Sequence, residues 1–146
     1  MSHQLTLTDV EDREVEEAIW SRLGEYNRGK AGPSIARALV VTIRDASGAV
    51  IGGLTGQTSR GWLFTELLFV PEALRAQGLG AEVMKMAQDE AIGRACIGAW
   101  LDTFDFQARG FYEKLGYTCF GEIKDYPPGF SRFFMKKLLR SAATGA

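Results

Sequence analysis

Apolar residues recur along this chain with two different periods, and the switches between them lay out its elements. Gln4-Leu5-Thr6-Leu7 alternates polar and apolar as a short strand does, and Thr8-Asp9-Val10-Glu11 has the form of a capping box that opens a helix. Val15, Ile19, Leu23 and Tyr26 then return at helical spacing, with Glu11, Asp12, Arg13, Glu16 and Glu17 making a solvated face, until Gly29 and Gly32-Pro33 break the pattern. Residues 35–43 are mostly β-branched or apolar, and the turn Asp45-Ala46-Ser47-Gly48 leads into a second strand, 49–56, which predicts a hairpin. Trp62 to Val70 reads as a third strand, apolar on both faces except at Thr65 and Glu66, as expected in the middle of a covered sheet. Helical period resumes from Leu79 to about Gly93, and the buried-type strand 95–101 completes a β-α-β crossover, which implies a parallel pair. A short helix over 106–115 ends at Gly116, and 117–123 and 130–139 read as two last strands joined through Asp125-Tyr126-Pro127-Pro128-Gly129. The expected fold is α/β (α+β): a mixed central sheet of about six to seven strands, an antiparallel meander followed by one crossover, with helices on both faces. It occupies a single domain over 1–140, and the small-residue stretch 141–146 is expected to be a disordered tail.

Composition narrows the function. A chain of 146 residues is long enough to bury roughly 70% of its unfolded surface without metals or disulfides. The balance of 17 basic against 18 acidic residues, with no basic run, argues against nucleic-acid binding by phosphate neutralisation. No apolar stretch approaches the roughly 20 residues that span a bilayer, and the first residues lack a basic-then-apolar signal, so no membrane partner is expected and the location predicted is cytoplasmic. Cys96 and Cys119 lie far apart and form no Cys-x-x-Cys pair; both read as small buried apolar residues. His3 is the single histidine, which leaves no His-rich metal site and assigns acid–base work to carboxylates, tyrosines, lysines or backbone groups.

Two stretches carry candidate chemistry. Arg75-Ala76-Gln77-Gly78-Leu79-Gly80 lies between a strand and a helix, where unpartnered N–H groups and the positive end of the helix dipole suit a phosphate, and glycines let backbone approach it closely. Simple turn glycines would look the same. Glu66 is a carboxylate on a strand that reads as central. It is either paired or exposed at a sheet opening, or a half-buried group whose pKa is raised toward that of a working base.

The order of elements, together with Val70-Pro71 leading into Arg75 to Gly80 and Ala108-Arg109-Gly110-Phe111-Tyr112-Glu113-Lys114-Leu115-Gly116-Tyr117 about thirty residues later, resembles the GNAT superfamily of acyl-CoA N-acyltransferases over essentially the whole chain. The resemblance implies acetyl-CoA as co-substrate and no metal. It implies that backbone at Gln77, Gly78, Leu79, Gly80 and Ala81 cradles the CoA diphosphate, with Arg75 adding charge at the entrance. A bulge would free backbone near Leu68, Phe69 and Val70 to pair with the pantetheine arm and polarise the thioester. Tyr112 takes the place of the general acid beside Phe111, and Glu66 becomes the candidate base. Where many relatives carry Asn this chain has Asp105, so cofactor contacts there are expected from Thr103 or Gln107. Arg109 and Lys114 are either contacts for the CoA 3′-phosphate or solvated helix charges.

The resemblance also implies acceptor walls at Tyr26, Asn27, Tyr126 and Arg132, which suit a small amine or a flexible peptide end equally. Self-association as a homodimer stays open. The expectation is an N-acetyltransferase working by direct attack in a ternary complex; the alternative is a non-catalytic acyl-CoA-binding sensor, for which Asp105 leaves room.

Overall fold

In the computed structural model, which describes residues 2–139, the chain divides into a first unit up to Ser34 and a second from Ile35 onward. The first unit holds one long helix, α1 (Arg13–Ala31). Its N-cap is Asp12, whose carboxylate accepts from the N–H groups of Glu14 and Val15 at 3.0 and 3.4 Å. The expected box at Thr8 is therefore displaced: Thr8 Oγ1 instead accepts from Val10 N–H, closing a local turn before the helix. No strand forms over Gln4 to Leu7 either. Alternation supplies a strand's pattern there, but the six paired strands of the sheet all lie elsewhere in sequence.

The second unit is a six-stranded mixed sheet in the order β1-β2-β3-β4-β6-β5, at the lower end of the expected range. The meander β1 (Arg37–Arg44), β2 (Val50–Ser59) and β3 (Trp62–Phe69) is antiparallel. Asp45 holds the first hairpin by accepting from the backbone of Ser47 and Ala49 and from the Ser47 hydroxyl. A 3-10 turn (Glu72–Gln77) and α2 (Leu79–Gly93) then carry the chain over to β4 (Gly98–Phe104), which runs parallel to β3. After α3 (Arg109–Lys114), β5 (Thr118–Lys124) forms the edge, and β6 (Ser131–Leu138) inserts between it and β4.

The core lies where α2 covers the sheet. Val83, Met84, Ala87 and Ala91 recur on one helix face and are buried with Leu39, Leu54, Leu63, Leu101 and Met135 from the strands. Each fully buried Leu or Met contributes roughly 1.5–3 kcal/mol relative to an exposed one. Cys96 is buried as expected, whereas Cys119 is half-buried beside a β-bulge.

Two irregularities in β3 position everything that follows. Thr55 pairs with Leu67 and Gly56 with Thr65, so Glu66 is the extra residue of a bulge. Parallel pairing of β3 with β4 runs from Trp62 and Gly98 only as far as Thr65 and Leu101. Beyond that point β3 stays with β2 through Phe69 and β4 stays with β6 through Phe104, so the two central strands part.

Candidate active site

The opening between the parted strands is the wall of a cavity of about 830 Å³. On one side it is lined by Glu66, Leu67, Leu68, Phe69 and Val70, and on the other by Leu101, Asp102 and Thr103. Gly78, Gly80, Ala81 and Arg75 line it too, Gly80 against Phe111, and so do Phe106, Gln107, Ala108 and Tyr112. Residues assigned from separate motifs thus meet at one place. Among the expected cofactor positions, Gln77 and Leu79 are the ones that do not line it, and Leu79 packs against the core instead.

The start of α2 is built by backbone. Gly78 adopts φ +75°, a left-handed conformation that favours glycine, and reverses the chain from the 3-10 turn into α2. No side chain caps α2, and the first bond back to the cap is donated by Glu82 N–H to the Gly78 carbonyl. N–H groups ahead of Glu82 thus lie at the positive end of a fifteen-residue helix, an arrangement that fits a diphosphate. At Gly80 a Cβ would lie 3.1 Å from the Phe111 ring, so a glycine lets this turn sit against α3. Arg75 does more than add charge: its Nε donates to the Val70 carbonyl at 2.8 Å, tying the turn to the end of β3, and its guanidinium lies 5.7 Å from the Phe69 ring centre.

Tyr112 is 8% exposed and packs edge-on against Phe111 and Tyr117. Burial, with a smaller contribution from the negative charge of Asp102, pushes its phenol up to about 12. The hydroxyl is a donor at any physiological pH. Glu66 differs from the half-buried carboxylate considered above. As the bulge residue it leaves the strand's alternation and is exposed, at the cavity's edge.

The loop after β4 is held by Gln107 and Asp105. Gln107 Oε1 accepts from Thr103 Oγ1 at 3.0 Å and from Phe104 N–H at 2.8 Å. Asp105 does not line the cavity; it accepts from Ser131 N–H at 2.9 Å while its own N–H donates to the Ser131 carbonyl, fastening the loop to the start of β6. Arg109 pairs with Glu113 and stacks 4.3 Å from the Phe133 ring centre, which accounts for it as a helix charge. Of the expected acceptor residues, Tyr26 and Asn27 lie on α1 in the first unit. Tyr126 packs against Phe104, and Arg132 forms an ion pair with Asp102.

The profile of the Acetyltransferase (GNAT) family matches residues 7–117. The chain belongs to this family. It is 44% identical over 131 residues to acetyltransferase Atu2258 of Agrobacterium fabrum, covering 90% of this chain and 96% of that protein. It is 40% identical over 93 residues to blasticidin-S acetyltransferase of Streptomyces morookaense, covering 63% of this chain and 68% of that one. A crystal structure of an Agrobacterium tumefaciens acetyltransferase superposes with a TM-score of 0.87 at 42% identity, over 93% of this chain and 99% of the other. The GNAT chain is accordingly an acetyl-CoA-dependent acetyltransferase with the family's mixed α/β fold. No helix among the described residues is long and apolar enough to cross a membrane.

Asp102 is the site residue that sequence reasoning missed. The GNAT crossover strand reads as ending at Leu101, yet it continues to Phe104, with Trp100, Asp102 and Phe104 half-buried and Leu101 and Thr103 buried. That alternation is visible in the sequence once the strand is allowed to run on.

Proposed function

We propose that this chain transfers the acetyl group of acetyl-CoA to a primary amine of a small molecule or peptide by direct attack in a ternary complex. The observation that carries the reading is the single cavity shared by the parted ends of β3 and β4, the uncapped start of α2 and the buried Tyr112. Acetyl-CoA supplies an activated acyl group on a thiol leaving group. The start of α2 holds its diphosphate, and backbone along Leu68 to Val70, on the edge of β3 that no longer pairs with β4, holds the arm and polarises the thioester carbonyl. As the amine nitrogen bonds to the carbonyl carbon, the carbon–sulfur bond breaks and the electron pair leaves on sulfur, where the Tyr112 hydroxyl donates a hydrogen bond. An alkylamine with a pKa near 10.4 must lose a proton to react. Glu66 takes it, directly or through a water, from the solvent side of the bulge.

Thiol release from acetyl-CoA, measured against blasticidin S, simple primary alkylamines and a lysine-bearing peptide, tests this reading. Release that depends on the amine is the expected result. A protein that CoA stabilises against heat, but that releases no thiol with any of these amines, would overturn it.

A further inference from the structure

The transfer just described leaves two features of the cavity unused, Asp102 and the aromatic cluster that starts at Phe106. Asp102 stands where β4 has parted from β3, and its side chain is 19% exposed. Arg132 Nε and Nη2 reach it at 2.9 and 2.8 Å, and both contacts fall on the same oxygen, Oδ1. Among the described residues no hydrogen bond or ion pair is made to Oδ2. Arg132 is itself fixed by the rings of Tyr126, Phe104 and Phe134, at 4.9, 5.3 and 5.5 Å from their centres. The carboxylate cannot turn without stripping that guanidinium of its partner, so its second oxygen is held ready for an N–H donor.

Phe106 lines the same cavity and is 56% exposed. It stacks on Phe104 at 5.0 Å and 15°, and meets Phe130 edge to face at 5.2 Å. A rigid group of rings whose front member stays wet beside a fixed carboxylate is complementary to a flat, unsaturated body with a cationic end. An extended polyamine fits less well, because its further charges would approach Arg132. Glu66 differs, being an exposed bulge residue.

We propose that Asp102 Oδ2 and Phe106 form the acceptor subsite, which takes a primary ammonium group carried on a flat unsaturated ring. The proposal rests on the transfer reading above and names its substrate class. Asp102 binds the ammonium form and sets the nitrogen beside the thioester before Glu66 removes the proton. Arg132 is a positioning residue that acts through Asp102. Asp102 and Tyr112 line the same cavity, so an amine held by the carboxylate lies in the space that the phenol faces.

Two matched primary amines, 2-phenylethylamine and n-hexylamine, separate the possibilities. Wild type is expected to favour phenylethylamine by about tenfold in kcat/KM, and Phe106→Ala to bring the two within about twofold. Asp102→Asn keeps an oxygen for Arg132 but loses the charge. It should raise the amine KM by tenfold or more while the acetyl-CoA KM and the thermal shift produced by CoA stay at wild-type values. Arg132→Gln should raise the amine KM in the same selective way, with Arg132→Lys intermediate. An amine KM within twofold of wild type in folded Asp102→Asn, or equal use of hexylamine by wild type, overturns the subsite and leaves the transfer reading standing. Calorimetric titration of 2-phenylethylamine into CoA-saturated protein gives the reverse separation. Binding that Asp102→Asn abolishes, without turnover, upholds the subsite and removes the transfer reading.

Discussion

Removing the Tyr112 hydroxyl tests the chemistry most directly, because the structure fixes how much that group can contribute. Burial holds the phenol near 12, whereas a thiol ionises near 8.5. Complete proton transfer from Tyr112 to the departing thiolate would run uphill by about 3.5 pKa units, or about 5 kcal/mol. A hydrogen bond donated to the thiolate carries no such cost. Bonds to charged partners contribute about 1.5–3 kcal/mol, so Tyr112→Phe should lower kcat by about 10- to 150-fold. The ring still fills its place against Phe111 and Tyr117, so the acetyl-CoA KM and the thermal shift caused by CoA should barely move. Steady-state thiol release from pH 6 to 9 is the assay. With the phenol protonated throughout that range, the ratio of wild-type to mutant kcat should be flat. An unchanged kcat in Tyr112→Phe would refute the role outright. A ratio that collapses above pH 8 would show the phenol ionising there, and would refute the reasoning from burial.

Three further outcomes follow from the geometry. Tyr112 and Tyr117 are both raised from 10 to about 12, mainly by burial. The unfolded chain therefore gives up these protons first, and stability held below pH 10 should fall by up to about 5 kcal/mol as pH climbs to 12. Urea unfolding at pH 9 and 11.5 measures this, and the Tyr112→Phe, Tyr117→Phe double variant should flatten the dependence. Gly98→Ala would drive a Cβ into the Trp62 ring, across the first pair of the parallel ladder. It should cost about 1–3 kcal/mol, a fall in Tm of roughly 2–12 °C by calorimetry; an unchanged Tm would contradict the packing. Asp105→Asn keeps an oxygen for Ser131 N–H and should leave stability and the acetyl-CoA KM near wild type, while Asp105→Ala should lose about 1 kcal/mol in denaturant unfolding. A large rise in acetyl-CoA KM for Asp105→Asn would return that side chain to the cofactor.

What could be read from the sequence was whatever has a local signal. The run into Gly78 and Gly80, the helical return of Val83 and Ala87, and Tyr112 in its motif lie within a few residues of their own explanation; the structure brings Gly78, Gly80 and Tyr112 to one cavity and buries Val83 and Ala87 in the core. What escaped depends on partners far away in the chain. Leu5 and Leu7 alternate, but pairing is not decided by alternation, and they join no strand. Thr8 and Asp12 are both capping residues by type; only the direction of the following backbone decides that Asp12 receives the helix N–H groups. Nothing in the last two strands announces that β6, not β5, lies next to β4.

Glu66, open in sequence between a half-buried and an exposed carboxylate, and Asp102, which sequence reasoning missed, trace to one feature of the sheet, and that feature bears on the mechanism. Each stands at the residue immediately after the last parallel pair, Thr65 with Leu101. A strand's polar and apolar pattern reports which face a residue occupies, but not where a neighbouring strand leaves it or where a bulge interrupts it. On β3 the break takes the form of a bulge that lifts Glu66 out into solvent. On β4 the alternation persists without a β3 partner and leaves Asp102 half-buried, held by Arg132 from β6. The opening proposed to receive the thioester thus delivers two carboxylates in different surroundings, one wet and one fixed. That division suits one group for taking a proton to solvent and the other for holding an ammonium in place, and comparing Glu66→Gln with Asp102→Asn exposes it. The first should lower kcat, most strongly at low pH, with little change in amine KM, and the second should raise amine KM. If both variants lose kcat alone, the two carboxylates share one task and the division fails.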